Sequence, residues 1–266
     1  MPSTLQQLRQ EVIAIAELAS EKILAIYNTE FDVTRKDDNS PLTEADMAAH
    51  HVITDGLKKL TPEIPILSEE SAKIPFSTRR QWHRYWLVDP LDGTREFVKR
   101  NGEFTVNIAL IEDHQPVIGV IHTPVTDVCY YASNDDGAYK KLPGQAAEKI
   151  STRAKEPGHT LVAGSRSHRG DSLNAFLEKI GSYEIISMGS SLKSCLVAEG
   201  KVDIYPRLGP TSEWDTAAAQ CVVENAGGKL VELSMQPMRY NTKESLLNPH
   251  FLVIGDVDYD WAQYFS

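Results

Sequence analysis

Cysteine and long apolar runs are scarce in this chain of 266 residues. Its three cysteines, Cys129, Cys195 and Cys221, lie far apart among apolar residues and lack the paired spacing of a zinc or redox site. They predict buried free thiols in a reducing compartment. No uncharged stretch approaches the roughly 20 residues of a membrane-spanning helix, and acidic residues interrupt the segment where a signal peptide would be apolar. The sequence therefore predicts a cytoplasmic protein without a transmembrane segment.

Basic residues are outnumbered by acidic ones. The chain has 27 Lys and Arg residues against 37 Asp and Glu residues, which gives a formal net charge of -10. A general nucleic-acid binder gains affinity by neutralising phosphates with basic side chains, so this balance excludes a nucleic-acid polymer as the partner. An anionic small molecule would need metal ions or a few well-placed cations to bind.

The first part of the chain predicts two helices followed by an antiparallel sheet. Apolar residues recur at steps of three and four over residues 5–26, as in an amphipathic helix. A strand is expected near residues 31–35, and a second helix from Pro41 to about residue 60, with Thr43 as its N-cap. Residues 104–139 are strand-rich and contain turn signals, which favours an antiparallel sheet.

The second part of the chain follows a polar segment over residues 141–159 and changes pattern. Short apolar runs and helical periodicity now alternate, as in an α/β arrangement. The predicted elements are strands at residues 161–163, 184–187 and 202–205 and helices at residues 172–180, 191–199 and 214–225. The change predicts two lobes, residues 1–148 with an α+β pattern and residues 149–266 with an α/β pattern, which share an interface.

Two predicted strands end in acidic residues. The apolar run at residues 64–67 leads into Ser68-Glu69-Glu70, and the run at residues 85–88 leads into Asp89. Paired acids after a strand are most often a solvated edge. Their repetition on two consecutive strands favours a site where carboxylates meet.

The segment Asp89-Pro90-Leu91-Asp92-Gly93-Thr94 combines the requirements of a metal and a phosphate site. Asp89 and Asp92 lie on either side of a turn, and the Leu91 carbonyl offers a third oxygen for a hard cation. Gly93 permits close approach of a ligand, and the N–H groups of Gly93 and Thr94 begin a predicted helix. The alternative is an Asp-Gly turn in which Asp92 caps a surface helix.

A third acidic position, Asp215, begins the predicted helix at residues 214–225, where its alternative role is that of the N-cap. These acidic positions have no histidine nearby, so their ligands are all oxygen. Such a set suits Mg²⁺ or Mn²⁺ and argues against structural zinc. His50 and His51, on the second helix, are interpreted as packing or surface residues.

Taken together, Glu69-Glu70, the Asp89–Thr94 segment and Trp214-Asp215 resemble the signatures of the inositol monophosphatase superfamily, in the same order along the chain. Segments 39–46, 85–94, 102–110 and 189–193 are most similar to its bacterial 3'(2'),5'-bisphosphate nucleotidases. The resemblance implies a layered αβαβα sandwich. It also implies that Glu69, Asp89 and the Leu91 carbonyl hold one Mg²⁺ and that Asp89, Asp92 and Asp215 hold a second, with a third ion near Glu69.

The resemblance further implies the reaction. A water activated by the metals attacks the 3'-phosphate of adenosine 3',5'-bisphosphate in line, Asp46 and Thr94 relay its proton, and AMP and phosphate are released. The resemblance is also compatible with 3'-phosphoadenylyl sulfate as a second substrate. The residues that the family suggests for nucleotide recognition are His168, Ser190, Lys193 and Arg207, in addition to Glu69, Leu91, Asp92, Gly93, Thr94 and Asp215.

Two alternatives stay open at this point. One is another phosphatase of the same superfamily, acting on an inositol phosphate or on fructose bisphosphate. The other is a non-catalytic sensor of the nucleotide, although a pair that activates water would serve no purpose in pure binding. The resemblance also implies inhibition by lithium. A homodimer and peripheral attachment to the inner membrane are both compatible with the sequence.

Overall fold

The computed structural model describes residues 4–29, 41–164 and 171–265, and the strands of these residues form two β-sheets. Up to residue 149 the elements are α1 Leu5–Tyr27, α2 Pro41–Leu60, β1 Ile66–Ser68, α3 Phe76–Arg79, β2 Arg84–Asp92, α4 Thr94–Val98, β3 Thr105–Glu112, β4 Gln115–Thr123, β5 Val128–Ser133, β6 Gly137–Lys141 and β7 Glu148–Lys149. Those that follow are β8 Thr160–Gly164, α5 Asp171–Ile180, β9 Tyr183–Ser187, α6 Leu192–Ala198, β10 Ile204–Arg207, α7 Glu213–Asn225, β11 Lys229–Glu232 and β12 Phe251–Ile254. Short 3₁₀ helices lie at Glu69–Ser71 and Trp261–Tyr264.

The first sheet keeps its strands in chain order, from β1 to β7. β1 runs parallel to β2, and every later neighbour is antiparallel. The second sheet has the order β11-β12-β10-β8-β9, in which β8 is parallel to both β9 and β10. The long hairpins of the first sheet follow from the turn signals at Asp113-His114 and at residues 134–137.

Five layers are built from these elements because each sheet is apolar on both faces. Alternate residues of the first sheet, such as Trp86 and Val88, pack against α1 and α2. The opposite face, with Tyr85 and Leu87, packs against α6 and α7, which also contact the inner face of the second sheet. The outer face of that sheet packs against α5 and the C-terminal Trp261. The predicted layered αβαβα sandwich is confirmed.

A row of small side chains brings α7 unusually close to the first sheet. Ala109, Gly119, Ala132 and Ala138 are successive register partners across β3, β4, β5 and β6. A Cβ atom placed on Gly119 would lie only 2.3 Å from the carbonyl oxygen of Ala218 in α7. The absence of a side chain at this position therefore permits the backbone of α7 to rest on the sheet.

The outer helix α1 shows how a polar residue can anchor a helix to a sheet. Thr4 and Gln7 form a capping box at its start. Arg9 is 2% exposed, and it donates to Ser133 Oγ at 2.9 Å and to Asp136 Oδ2 at 2.7 Å. These bonds tie α1 to the β5–β6 turn at one corner of the first sheet.

Most predicted elements are confirmed, with a few corrections. α2 begins at Pro41, so Thr43 lies inside its first turn and is not the N-cap. The predicted polar segment contains the short strand β7, and two further strands, β11 and β12, complete the second sheet. The strand expected at residues 31–35 lies outside the described residues. The two sheets fall on either side of residue 149, and the division into two lobes stays a prediction.

The remaining composition-based expectations concern cysteines and membrane spans. All three cysteines are buried and free, as the sequence predicts. None of the helices in the described residues combines the length and the apolar character needed to cross a bilayer.

Candidate active site

Three carboxylates from separate elements meet at one edge of the first sheet. Oxygen atoms of Glu69, Asp89 and Asp215 all lie within 4.8 Å of one another. Glu69 directly follows β1, and Asp89 lies in the neighbouring parallel strand β2. Because Ser68 pairs with Val88, the next residues, Glu69 and Asp89, lie side by side. Asp215 arrives from the first turn of α7, which lies across the same sheet. The predicted convergence of these three residues is what the structure contains.

The turn after Asp89 is shaped by an irregular ladder between β2 and β3. Asp89 pairs with Asn107 and Asp92 with Thr105, so β2 carries one more residue than its partner between these pairs. The N–H of Leu91 donates to Asp89 Oδ1 at 3.0 Å, which orients that carboxylate.

Glycine is required at the end of this turn for two reasons. Gly93 has a φ of 94°, in the left-handed region that a side chain disfavours. A Cβ atom there would also lie 3.2 Å from both Phe104 Cα and Ser190 Cβ. α4 begins immediately afterwards at Thr94, as expected from the sequence.

Asp92 is held by donors that the sequence did not identify. Its Oδ2 accepts from the Ser191 N–H and from Ser191 Oγ, each at 2.7 Å. Asn107 Nδ2 in turn donates to Ser191 Oγ at 2.7 Å. Asn107 is the register partner of Asp89, so its place beside the acids follows from the β2–β3 pairing.

Asp215 stabilises the start of α7, but it is not the predicted N-cap. The N-cap of α7 is Ser212, and Asp215 is the third helical residue. Its Oδ2 accepts from the Ser212 N–H at 2.8 Å, while the Ser212 side chain accepts from the Asp215 N–H, which is a capping box. The carboxylate of Asp215 is therefore fixed before any ligand binds.

The clustered acids repel one another, and Arg207 offsets a small part of this repulsion at Asp215. Burial, followed by repulsion from Asp92 and Glu69, raises the pKa of Asp89 well above its usual range. Burial and neighbouring carboxylates likewise raise the pKa of Glu69 and of Asp215 to about 7. None of the ion pairs among the described residues reaches these carboxylates. An all-oxygen set with excess negative charge and no ion-paired basic side chain among the described residues fits divalent hard cations.

Asp46 lies beside this cluster, and Thr94 lies at its edge. Asp46 is 8% exposed, and its Oδ1 is buried without a hydrogen-bond partner among the described residues. Burial and the charges of Glu70 and Glu69 raise the pKa of Asp46 to about 9. Thr94 is exposed at the start of α4. The described structure contains no hydrogen bond between the two side chains, so the relay stays a prediction.

A cavity of about 390 Å³ adjoins the acids and contains several of the expected nucleotide-binding residues. Asp92, Gly93, Thr94, Ser190, Lys193, Arg207 and Asp215 all line it. His168, the remaining candidate, lies outside the described residues. The structure thus brings acidic and basic groups to one opening, which accords with the expectation that a few local cations offset the net negative charge.

The two predicted cations of the cavity differ in how they are held. Lys193 is 6% exposed, and its ammonium donates to the carbonyl oxygens of Ser190 at 2.6 Å and Met188 at 3.4 Å. Burial lowers the pKa of Lys193 to about 8. Arg207 donates through Nη2 to the Pro210 carbonyl at 2.9 Å, whereas its buried Nε has no partner among the described residues.

Comparison with known proteins agrees with this arrangement. The inositol monophosphatase family model matches residues 4–257. A Salmonella typhimurium protein named 3'(2'),5'-bisphosphate nucleotidase CysQ is 48% identical over 246 residues, which are 92% of this chain and 98% of that protein. The protein of the same name from Escherichia coli (strain K12) is 48% identical over 245 residues, 91% of this chain and 98% of its own length.

A solved structure supports the same assignment. The crystal structure of CysQ from Bacteroides thetaiotaomicron, described as a bacterial member of the inositol monophosphatase family, has a TM-score of 0.86 and 42% sequence identity. The match covers 96% of this chain and 99% of that one. The layered fold, the acidic cluster and these matches agree, and the chain belongs to the inositol monophosphatase family, a family of metal-dependent phosphatases.

Proposed function

We propose that the chain is a magnesium-dependent phosphomonoesterase that hydrolyses the 3'-phosphate of adenosine 3',5'-bisphosphate, giving AMP and phosphate. The observation that carries the proposal is the meeting of Glu69, Asp89 and Asp215, with oxygens within 4.8 Å of one another, beside a cavity with basic side chains. Relatives at 48% identity that are named 3'(2'),5'-bisphosphate nucleotidase favour this substrate. The proposal includes 3'-phosphoadenylyl sulfate, which carries the same 3'-phosphate.

Oxygen ligands of the acidic cluster would hold two or three Mg²⁺ ions, and Mn²⁺ fits the same donors. The proposed ligands are the carboxylates of Glu69, Asp89, Asp92 and Asp215 and the carbonyl of Leu91. When bound, the ions lower the pKa of the attacking water and neutralise charge on the phosphoryl oxygens. The hydrogen bonds from Ser191 to Asp92 and from Ser212 to Asp215 orient two of the carboxylates in advance.

Asp46 and Thr94 are the proposed path for the proton that the attacking water loses. Asp46 Oδ1 is an acceptor with no partner among the described residues. A carboxylate with a pKa raised to about 9 is a strong base once it is ionised. Glu69 interacts with Asp89, and its charge contributes to the raised pKa of Asp46. We propose that Glu69 assists in orienting the water.

Substrate recognition would use the groups on the other side of the cavity. The N–H groups of Gly93 and Thr94 and the side chain of Ser190 are proposed to contact the phosphate and ribose. Lys193 and Arg207 would balance the second phosphate, because a guanidinium or ammonium on a phosphate forms the stronger, charge-assisted kind of hydrogen bond. His168 completes the proposed set.

A panel of three substrates tests the proposal. Phosphate release is measured from adenosine 3',5'-bisphosphate, inositol 1-phosphate and fructose 1,6-bisphosphate, each with Mg²⁺ and with excess chelator. Of the three substrates, we expect only adenosine 3',5'-bisphosphate to release phosphate rapidly, and only when Mg²⁺ is present. Preference for either sugar phosphate would contradict the substrate, and release in chelator would contradict metal dependence. Binding of the nucleotide without release would indicate a sensor.

Asp89→Asn tests the metal cluster itself, and Asp92→Asn is the companion variant. We expect both to abolish turnover while the fold persists. Because an amide of the same shape cannot ionise, and burial and neighbouring acids disfavour the ionised form of Asp89, Asp89→Asn without metal should melt at or above the wild-type temperature. Added Mg²⁺ should raise the melting temperature of the wild type by binding the folded state, and this rise should be absent in Asp89→Asn.

A matched control for this variant is Asp113→Asn. The Asp113 side chain is 73% exposed in the β3–β4 turn, so its loss should change neither turnover nor the Mg²⁺-dependent rise in melting temperature. A near wild-type rate for Asp89→Asn would exclude Asp89 as a ligand.

A further inference from the structure

Asn241 connects two chain segments that lie far apart in the sequence, and each segment leads to one of the clustered acids. Its side chain exchanges two hydrogen bonds with Arg79, because Asn241 Nδ2 donates to the Arg79 carbonyl and Arg79 Nη1 donates to Asn241 Oδ1, both at 2.6 Å. Its backbone N–H donates to Glu213 Oε2 at 2.8 Å. Asn241 is 1% exposed, so these bonds are made away from water.

The Arg79 side of this connection belongs to the segment that contains Glu69. α3, in which Arg79 lies, follows the 3₁₀ helix Glu69–Ser71 after four residues. Arg79 is 2% exposed, its guanidinium carbon lies 4.8 Å from the centre of the Phe76 ring, and Nη2 donates to the Glu244 carbonyl. Two residues of the loop, Asn241 and Glu244, therefore hold Arg79 of α3.

The Glu213 side of the connection belongs to α7. Glu213 is fully buried, and it is the first residue of the helix, two positions before Asp215. The same loop contacts this end of α7 again, because Asn248 Nδ2 donates to the Ser212 carbonyl at 2.6 Å and the Glu213 N–H donates to the Leu246 carbonyl at 2.8 Å. The loop thus binds the cap and the first turn of the helix.

From this geometry we propose that Asn241 is a positioning residue for the metal centre, which sets the separation between the segment of Glu69 and the helix start that carries Asp215. The inference rests on the proposed metal site and adds a residue that touches neither ion nor substrate. The backbone agrees with such a role, because Asn241 has a φ of 56°, and asparagine accepts this left-handed conformation better than most side chains. Its amide can therefore face Arg79 while its N–H faces Glu213.

Asn241→Gly is the sharpest variant, since glycine keeps the left-handed backbone and the N–H to Glu213 and removes only the bonds to Arg79. The readout is Mn²⁺ binding without substrate, measured from the loss of the electron paramagnetic resonance signal of free Mn²⁺. Loss of a group bonded directly to a metal ligand weakens metal affinity roughly 10- to 100-fold, and because Asn241 acts through residues next to the ligands, we expect a weakening at the lower end of this range, about 10-fold. Mn²⁺ affinity equal to that of the wild type would overturn the proposal.

Arg9→Met is the control for a general loss of stability. Arg9 is as buried as Arg79 and also makes two hydrogen bonds, but it lies at the β5–β6 turn on the opposite side of the first sheet from α7. We expect it to lower the melting temperature without changing Mn²⁺ affinity. If Arg9→Met weakens Mn²⁺ binding as much as Asn241→Gly does, the positioning role is refuted.

Arg79→Lys keeps the test decisive if Asn241→Gly does not fold. Lysine keeps the buried charge but lacks the fork that spans Asn241 and Glu244, so Mn²⁺ affinity should fall in the same direction by a smaller factor. Unchanged affinity in this variant would also overturn the proposal. Because the readout is metal binding, a wild-type protein that binds Mn²⁺ but does not hydrolyse adenosine 3',5'-bisphosphate would refute the proposed function and leave this inference standing.

Discussion

Replacing Gly119 by alanine tests whether the approach of α7 to the first sheet places Asp215 in the site. The added Cβ would meet the Ala218 carbonyl oxygen at 2.3 Å, and ordinary contacts begin at 3.4 Å, so the backbone of α7 must retreat by about 1 Å. No side-chain rotation relieves this contact, because the oxygen belongs to the main chain. Ala218 is less than one helical turn from Asp215, so the displacement reaches the carboxylate.

The expected magnitudes follow from that displacement. Overpacking of a core costs about 1–3 kcal/mol, which corresponds to a fall of roughly 2–12 °C in the melting temperature for a chain of this size. Metal centres need their ligands within about 0.5 Å of the productive position, and a misplacement of about 1 Å can reduce the rate of an enzyme 100-fold. We therefore expect Gly119→Ala to lose about two orders of magnitude in kcat/KM and to need more Mg²⁺ for half-maximal activity.

The assay combines thermal unfolding with a Mg²⁺ titration of phosphate release from adenosine 3',5'-bisphosphate. Gly255→Ala serves as the matched control, because its added Cβ would lie 3.3 Å from the nearest atom, the Asp203 carbonyl oxygen, and a shift of a few tenths of an ångström accommodates it. The control should keep the wild-type rate. Gly119→Ala with the melting temperature, Mg²⁺ requirement and kcat/KM of the wild type would refute the reasoning.

Three further predictions concern other contacts. Ser191→Ala removes one charge-assisted bond to Asp92, worth about 1.5–3 kcal/mol, and should raise the Mg²⁺ concentration for half-maximal activity; an unchanged titration would count against Asp92 as a ligand. Lys193→Ala should raise KM for the nucleotide more than for a sugar phosphate, and equal changes would contradict a contact with the second phosphate. Burial lowers the pKa of His122, so the unfolded chain takes up a proton first as the pH falls below about 6.5. The free energy of unfolding of the wild type should therefore fall between pH 7 and pH 5, by up to about 1.4 kcal/mol per pH unit more than that of His122→Gln. Chemical denaturation at several pH values measures both proteins, and an equal pH dependence in the two would contradict the prediction.

Elements with a strong local pattern were predictable from the sequence. The helix at residues 5–26 and the antiparallel strands after residue 104 are confirmed because their apolar periodicity and turn residues dominate locally. β7 was missed because Glu148 and Lys149 form a strand of two exposed residues, which has no alternation to detect. The predicted start of α2 at Pro41 is confirmed, whereas the prediction of Thr43 as its N-cap is wrong because Thr43 has the chemistry of a cap but lies inside the first turn.

The candidate site divides in the same way. Glu69 and Asp89 were predictable because each ends an apolar run, and parallel pairing of β1 and β2 then places them together. Asp215 joins them only through the packing of α7 on the sheet, which no local pattern encodes. The prediction that it shares a metal with Asp89 and Asp92 therefore came from the family resemblance. The contacts of Ser191 and Asn241 were not predictable, because their partners lie 99 and 162 residues away in the sequence.

The division of the proposed acidic ligands between a sheet edge and the helix layer has a consequence for how activity is lost. Glu69 and Asp89 come from the edge of one sheet, whereas Asp215 comes from the helix layer between the sheets. Separation of these layers would move the proposed ligands apart while each layer still keeps its secondary structure. Inactivation by heat or denaturant should therefore precede the loss of helical circular dichroism, and bound cations should delay both.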